Sequence, residues 1–338
     1  MRSATDPARA AMRISTTSRY IPSGRVPPQA QLRGAAGAST SSRDVVMQSI
    51  YSDVLRWRIA ACPPDDVDET FRPPSTQQVA IERNITLTDM ALLAARQAVR
   101  RSSSEARQTV DQIVVCATSL EHDLAMSCAG RLHSEFRSTR PPLAVGQLQG
   151  VASFLGLRIA RGMMAEDGDL ESVLVVGAER WLSPFSRLAG TVAALGDGAA
   201  AAVVQRGQAG GWSVRSVTVR TPPLRRSVEA WIDDEALSSV IDEACSTARL
   251  TARRVQWIIP PCIAPALVRT IGARAGLPAD RTWSAGPNDI GYLCAADPLA
   301  QFDAFLSVVT PAVGDHVLLW STGLQGQAAC AVLEYQAG

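Results

Sequence analysis

The sequence predicts a layered α/β fold, with sheets covered by helices on both faces, and three observations carry that prediction. Apolar runs of strand length alternate with helix-length segments from about residue 87 onward. The segment 150–164 is apolar nearly all round, as a helix enclosed within a domain must be. The strand–helix–strand order occurs twice, so that helix 150–164 in the first half corresponds to helix 298–308 in the second. Continuous apolar strands with intervening helices require sheets buried on both sides.

The elements follow in chain order. Residues 88–100 read as a helix, with Thr88 as N-cap and Arg96 and Arg100 in the last turns. Residues 111–117 read as a buried strand. Leu124, Cys128, Leu132 and Phe136 recur every fourth position and give an amphipathic helix over 124–136, after a loop containing His122. Strands follow at 172–177 and 199–205. The second half opens with strand 212–219 and helix 234–249, capped by Asp233. Strand 254–259, helix 265–275, helix 298–308 and strands 316–320 and 329–335 complete it.

Composition narrows the function. Of 338 residues, 46% are hydrophobic and 19% charged, enough apolar mass for a large core. The 33 basic and 32 acidic residues give a net charge of +1, which argues against nucleic acid or an anionic membrane as the main partner. Every basic residue is an arginine, so Schiff-base and lysine-base mechanisms are excluded. The seven cysteines form no CxxC pair and read as reduced core thiols of a cytoplasmic protein. The three histidines, His122, His133 and His316, are too scattered for a zinc site, so no metal is expected. No apolar run reaches membrane-spanning length. Residues 1–43, rich in Arg, Ser, Ala and Pro, read as a disordered or extended segment, with Met12 as an alternative start to Met1. The two halves are then 44–207 and 208–338.

Four stretches resemble the ketoacyl synthase III branch of the thiolase superfamily. They are Val114-Val115-Cys116-Ala117-Thr118-Ser119, Val175-Val176-Gly177-Ala178-Glu179, Leu195-Gly196-Asp197-Gly198-Ala199 and Trp257-Ile258-Ile259-Pro260. Their order and spacing are more specific than any one of them, and the resemblance covers about residues 80–336. It implies a thiolase-like fold of two pseudo-symmetric halves in five layers, helix–sheet–helix–sheet–helix. Helices 150–164 and 298–308 form the central layer and point their N-termini at one site. Positive helix ends there favour a thiolate and an oxyanion.

The resemblance also implies that the reacting side chains are replaced. The family nucleophile is a cysteine two residues before a glycine that looks like Gly150, which places it on Leu148. A one-residue shift places it on Gln149, and glutamine replaces this cysteine in chain-length-factor and decarboxylating relatives. The family histidine falls on Pro261. The segment Gly291-Tyr292-Leu293-Cys294-Ala295-Ala296-Asp297, downstream of Asn288, resembles the Gly-His-x4-Asp pattern of the acyltransferase offshoot, with Tyr292 in place of histidine. Without a nucleophile, a covalent acyl cycle loses several orders of magnitude in rate. A main-chain oxyanion hole would survive, formed by the Leu148 N–H and the turn Gly323-Leu324-Gln325-Gly326. The candidate catalytic set is thus Asp297, Tyr292, Leu148 and Gln149, with Gly323, Gly326, Pro261 and Cys262 lining the substrate.

Bland roles stand beside these. Asp297 before Pro298 suits a helix N-cap, Tyr292 a packing residue, Ser153 a helix-packing residue, and Cys262 and Cys294 wall thiols. Glu179, His122 and His133 fall where the family has interface or loop residues. The expected function is acyl transfer from an acyl-carrier-protein or coenzyme A thioester directly to a hydroxyl or amine, in fatty-acid, polyketide or secondary metabolism. No cofactor is expected beyond the pantetheine of that substrate. The alternative is a catalytically inactive ketosynthase partner, like chain-length factors, or an acyl-binding module. A homodimer, or a heterodimer with a ketosynthase, is expected through strand 172–178 and helix 124–136.

Overall fold

The computed structural model describes residues 11–28, 78–102, 110–121, 127–182, 187–189, 192–207, 210–223, 232–285 and 289–337. The candidate loop residue His122, the start of the 124–136 helix, Asn288 and most of 44–80 lie outside them.

The main sheet has the strand order β11-β12-β13-β10-β1-β9-β6-β4-β5. The first half contributes β1 (Met12–Tyr20), β4 (Gln112–Ala117), β5 (Leu143–Gly146), β6 (Ser172–Glu179) and β9 (Gly198–Arg206). The second contributes β10 (Gly211–Arg220), β11 (Trp257–Ile259), β12 (His316–Thr322) and β13 (Ala328–Gln336). The order β4-β6-β9-β1 recurs as β11-β12-β13-β10. Each set has one parallel pair followed by two antiparallel pairs. A short ladder from Arg13 and Ile14 to Ser213 and Trp212 joins the two half-sheets. Two-stranded ribbons, β2 (Gly24–Val26) with β3 (Val79–Ile81) and β7 (Leu188–Ala189) with β8 (Ala193–Ala194), lie outside this sheet.

Helices complete the layers. Between the half-sheets lie α3 (Val151–Glu166) and α6 (Asp297–Leu306). One apolar core joins Phe154, Leu157, Phe302 and Phe305 of these helices to Val175 and Val204 of one sheet and Leu319 and Leu333 of the other. Outside the first half-sheet pack α1 (Leu87–Ser102) and α2 (Cys128–Phe136), in a core with Leu92, Leu132 and Val176. Outside the second pack α4 (Asp234–Thr247) and α5 (Pro265–Arg274), in a core with Leu237, Ile271 and Trp320. The arrangement is the five-layer thiolase-like fold, and α3 and α6 are its central layer.

The structure corrects three expectations. Residues 12–20, placed by the sequence in an extended N-terminal segment, form β1 between β9 and β10, so the first half begins well before residue 44. Helix α1 starts at Leu87 rather than after a Thr88 cap. Thr86 and Asp89 cap it reciprocally, Asp89 N–H donating to Thr86 Oγ1 at 3.0 Å and Thr86 N–H to Asp89 Oδ2 at 3.0 Å. Thr88 instead binds Glu121. Strand 172–178 is β6, paired on both sides by β4 and β9, so it cannot form an interface edge. The open edge of the first half is β5, with Leu143, Ala144 and Gly146 exposed. At the matching position in the second half, Thr282 bridges to Ile258.

Candidate functional site

The site sits where the N-termini of α3 and α6 approach the end of β12. Helix α3 begins at Val151, with Gly150 as an N-cap that has no side chain to satisfy the first turn. The Gly150 N–H donates to the Tyr292 hydroxyl at 2.9 Å, and that hydroxyl donates to the Thr322 carbonyl at 2.8 Å. A Cβ added at Gly150 would lie 2.5 Å from the Tyr292 oxygen and would overlap Ser321 Oγ. Position 150 is therefore the one that faces Tyr292. Leu148 packs its side chain against the central core.

The glycine that follows the expected nucleophile position Leu148 by two residues is thus the one in contact with Tyr292. The residue that looks across at the 292 side chain is Gly150, and the phenol occupies the space a side chain there would need. Tyr292 is fully buried, and burial holds its hydroxyl well above the ordinary tyrosine range. It stays protonated at any working pH, fixed between a donor and an acceptor.

The main-chain donors around it are also taken. Gln149, in a left-handed conformation with φ 47°, accepts the Leu324 N–H on its Oε1 at 3.1 Å. Gly323 N–H donates to the Gln327 carbonyl at 2.8 Å, and Gln325 N–H to Gln327 Oε1 at 3.1 Å. Three consecutive N–H groups of the 323–326 turn, which with the Leu148 N–H was expected to form the oxyanion hole, thus bind this chain's own oxygens. Gly326 keeps the turn tight at φ 80°. Gln147, also left-handed at φ 62°, ties the approach to α3 back to the Thr118 carbonyl.

Asp297 is likewise engaged from within. It is the first residue of α6 and not its cap, because Ala296 holds the cap position without a side-chain bond. Its carboxylate accepts the Cys262 N–H at 3.1 Å and, more loosely, the Leu293 N–H at 3.5 Å. The carboxyl is fully buried, which raises its pKa to about 7 against the lowering effect of those bonds and of Gln301. Pro261 is buried and Cys262 half-buried in the loop after β11. Ser153, one turn into α3, donates to the Ala295 carbonyl. Cys294 is fully buried at φ 43°.

Two buried acidic residues build the frame, and neither role is visible from its own motif. Glu179 at the end of β6 accepts N–H groups from Thr118 at 2.9 Å, Ser119 at 2.7 Å and Ala295 at 3.0 Å, which couples the turn after β4 to the turn before α6. Asp197 of the Gly-Asp-Gly entry forms a two-pronged pair with Arg187, at 2.9 and 2.8 Å, with both side chains essentially buried. Arg187 escaped the sequence reading. An arginine ten positions before the Gly-Asp-Gly turn was the available signal. Among the described residues no His, Cys, Asp and Glu cluster could hold a metal ion, and no helix is long and apolar enough to cross a membrane.

Comparison with known proteins agrees with the fold. Residues 149–223 match the family described as 3-oxoacyl-[acyl-carrier-protein] synthase III. Among solved structures, ChlB3, described as an acyltransferase, is 18% identical with a TM-score of 0.74, covering 97% of this chain and 98% of its own. The 3-oxoacyl-[acyl-carrier-protein] synthase III of Aquifex aeolicus is 16% identical with a TM-score of 0.69, covering 96% and 100%. AbyA1, a tetronic acid condensing enzyme, is 17% identical with a TM-score of 0.69, covering 96% and 99%. No curated protein matches by sequence. Fold and segment together give a thiolase-like fold with a segment similar to 3-oxoacyl-[acyl-carrier-protein] synthase III.

Proposed function

We propose that the chain is a non-catalytic ketosynthase III-like partner, in which the acyl site has been closed by its own side chains. The observation that carries this reading is that four main-chain donors at the site bind the protein's own oxygens. Gly150 N–H binds Tyr292, and the N–H groups of residues 323 to 325 bind Gln149 and Gln327. An oxyanion hole works by presenting unpaired donors to developing charge. Here a thioester oxygen would have to displace two glutamines and a buried phenol. Leu148, at the family's nucleophile position, has no nucleophilic atom to carry an acyl group, and Pro261 has no proton to move. Direct transfer to a hydroxyl or amine is the second reading. It is favoured by the likeness to ChlB3 and by the Gly291-Tyr292-x4-Asp297 spacing. It requires Asp297 as a base, yet Asp297 is fully buried and committed to main-chain donors.

The reading calls for no resident cofactor. Its partner is a ketosynthase-type chain or a second copy, in the cytoplasm, added along the β5 edge. An edge with unpaired main-chain groups and an exposed leucine, Leu143, is a template for strand addition. The test offers a panel of acyl-coenzyme A and acyl-carrier-protein thioesters, with alcohols and amines, and follows thiol release and intact protein mass. We expect no acyl adduct and no release above background, together with co-purification of a ketosynthase from the host. Acceptor-dependent thiol release that is lost in Asp297→Asn would establish direct transfer instead.

A further inference from the structure

Helix α3 carries an arginine for which the fold supplies no acid. Arg161 follows Leu157 by one turn and precedes Met164 by three residues, and both pack into the central core with Trp212 and Val214 of β10. Arg161 is thus half-buried on the side of α3 that faces β10. Among the described residues it makes no hydrogen bond and no ion pair. The charge that acts on it is a second cation, Arg215, at the irregularity of β10 between Val214 and Ser216. Burial first, and the Arg215 charge second, hold the Arg161 guanidinium below its ordinary range. Arg158, one turn earlier on α3, is exposed and also has no ion pair among the described residues.

The charges around this pair do not cancel. Arg215 meets one acid, Glu334, Nε to Oε2 at 3.3 Å. His316 lies 3.8 Å from the same Glu334 oxygen, and burial holds it below its ordinary range, so it adds no charge at neutral pH. Asp315 and Arg254, which also act on His316, offset each other. Three arginines against one carboxylate leave an excess of two positive charges, one of them on a side chain half out of water. An unpaired cation in such a place is unfavourable until an anion joins it.

We propose that Arg161 and Arg215, with Arg158 at the rim, form a binding site for a dianionic tetrahedral oxyanion of the phosphate class, as the free ion or as a phosphomonoester. Guanidinium groups bind phosphate oxygens through paired, charge-assisted N–H bonds. A phosphomonoester carries about −1.5 to −2 at neutral pH, which matches the excess, whereas a carboxylate would leave one cation uncompensated. Arg161 lies ten residues beyond Val151, about 15 Å along α3 from the site at the helix N-terminus. At that distance the anion neither enters the acyl site nor depends on its closure.

Titration of the full chain with inorganic phosphate, at ionic strength held constant with sodium chloride, tests the site. Amide resonances of residues 158–162 and 214–216 should shift with one saturating affinity. At phosphate ten times its dissociation constant, the apparent unfolding equilibrium constant should fall about 11-fold. Arg161→Gln should lose both effects yet fold like the wild type, because the side chain it removes has no protein partner. If that variant does not fold, Arg215→Gln takes its place and should lose the same two effects. Glycerol 3-phosphate distinguishes the source of the anion. Binding equal to that of phosphate supports a monoester, and binding of phosphate alone supports the free ion. Shifts that chloride reproduces at the same ionic strength would mean charge screening and would overturn the proposal. So would the absence of saturable shifts, or a phosphate response that survives in Arg161→Gln.

Discussion

Replacing Arg187 with alanine should lower the unfolding free energy by about 3–5 kcal/mol, because it leaves the Asp197 charge buried without its partner. The pair is enclosed, and its arginine also donates to the carbonyls of Trp181 and Leu195. Asp197 in turn receives the N–H groups of Glu82 and Trp181, which tie it to the chain after β3 and the chain after β6. Losing the arginine therefore frees several main-chain groups at once. Lysine restores charge but not the two-pronged geometry, so Arg187→Lys should recover only part of the loss. Chemical denaturation of the three proteins measures the order wild type, lysine, alanine. An alanine variant within about 0.5 kcal/mol of wild type, the range of ordinary surface changes, would mean that the pair does not hold the frame.

Gly150→Ala should also destabilise, by about 1–3 kcal/mol, through overpacking at a point where backbone and side chains have no room to yield. The added carbon would meet the Tyr292 oxygen at 2.5 Å and overlap Ser321 Oγ. Both neighbours are fully buried. Ser321→Ala removes the nearer oxygen, so the double variant should regain much of what Gly150→Ala loses. Contacting sites couple in this way, whereas independent ones add. Thermal melts of the two single variants and the double variant provide the cycle. Additive losses would place Gly150 away from Tyr292 and Ser321.

The fold was legible because its signals are local. Strands β6 and β9 are almost wholly buried, and they read as unbroken apolar runs. Asp233 caps α4 as its sequence suggests, accepting the Ala236 N–H. Strand β5 was missed because it is four residues long and mostly exposed, with no apolar alternation to reveal it. Its absence from the reading left β6 as the apparent edge. The site was legible only as a set of replaced residues. Which residue stands opposite Tyr292 depends on how far α3 is wound before it meets the turn at 292, a contact across 142 positions of sequence. Likewise, nothing in the sequence shows that Gln149 and Gln327 fold onto the 323–326 turn. Side-chain amides have that reach, but only tertiary packing selects the acceptor.

The N–H groups of Gly150, Gly323, Leu324 and Gln325, four main-chain donors of the site, are occupied by the protein itself. Backbone amide resonances of Gly150 and Leu324, followed during titration with a non-hydrolysable acyl-pantetheine thioester analogue, test it most directly. Neither resonance should move at saturating analogue, since Tyr292 and Gln149 keep their bonds. Shifts of both amides together, saturating with one affinity, would show a thioester carbonyl entering a working oxyanion hole and would contradict it.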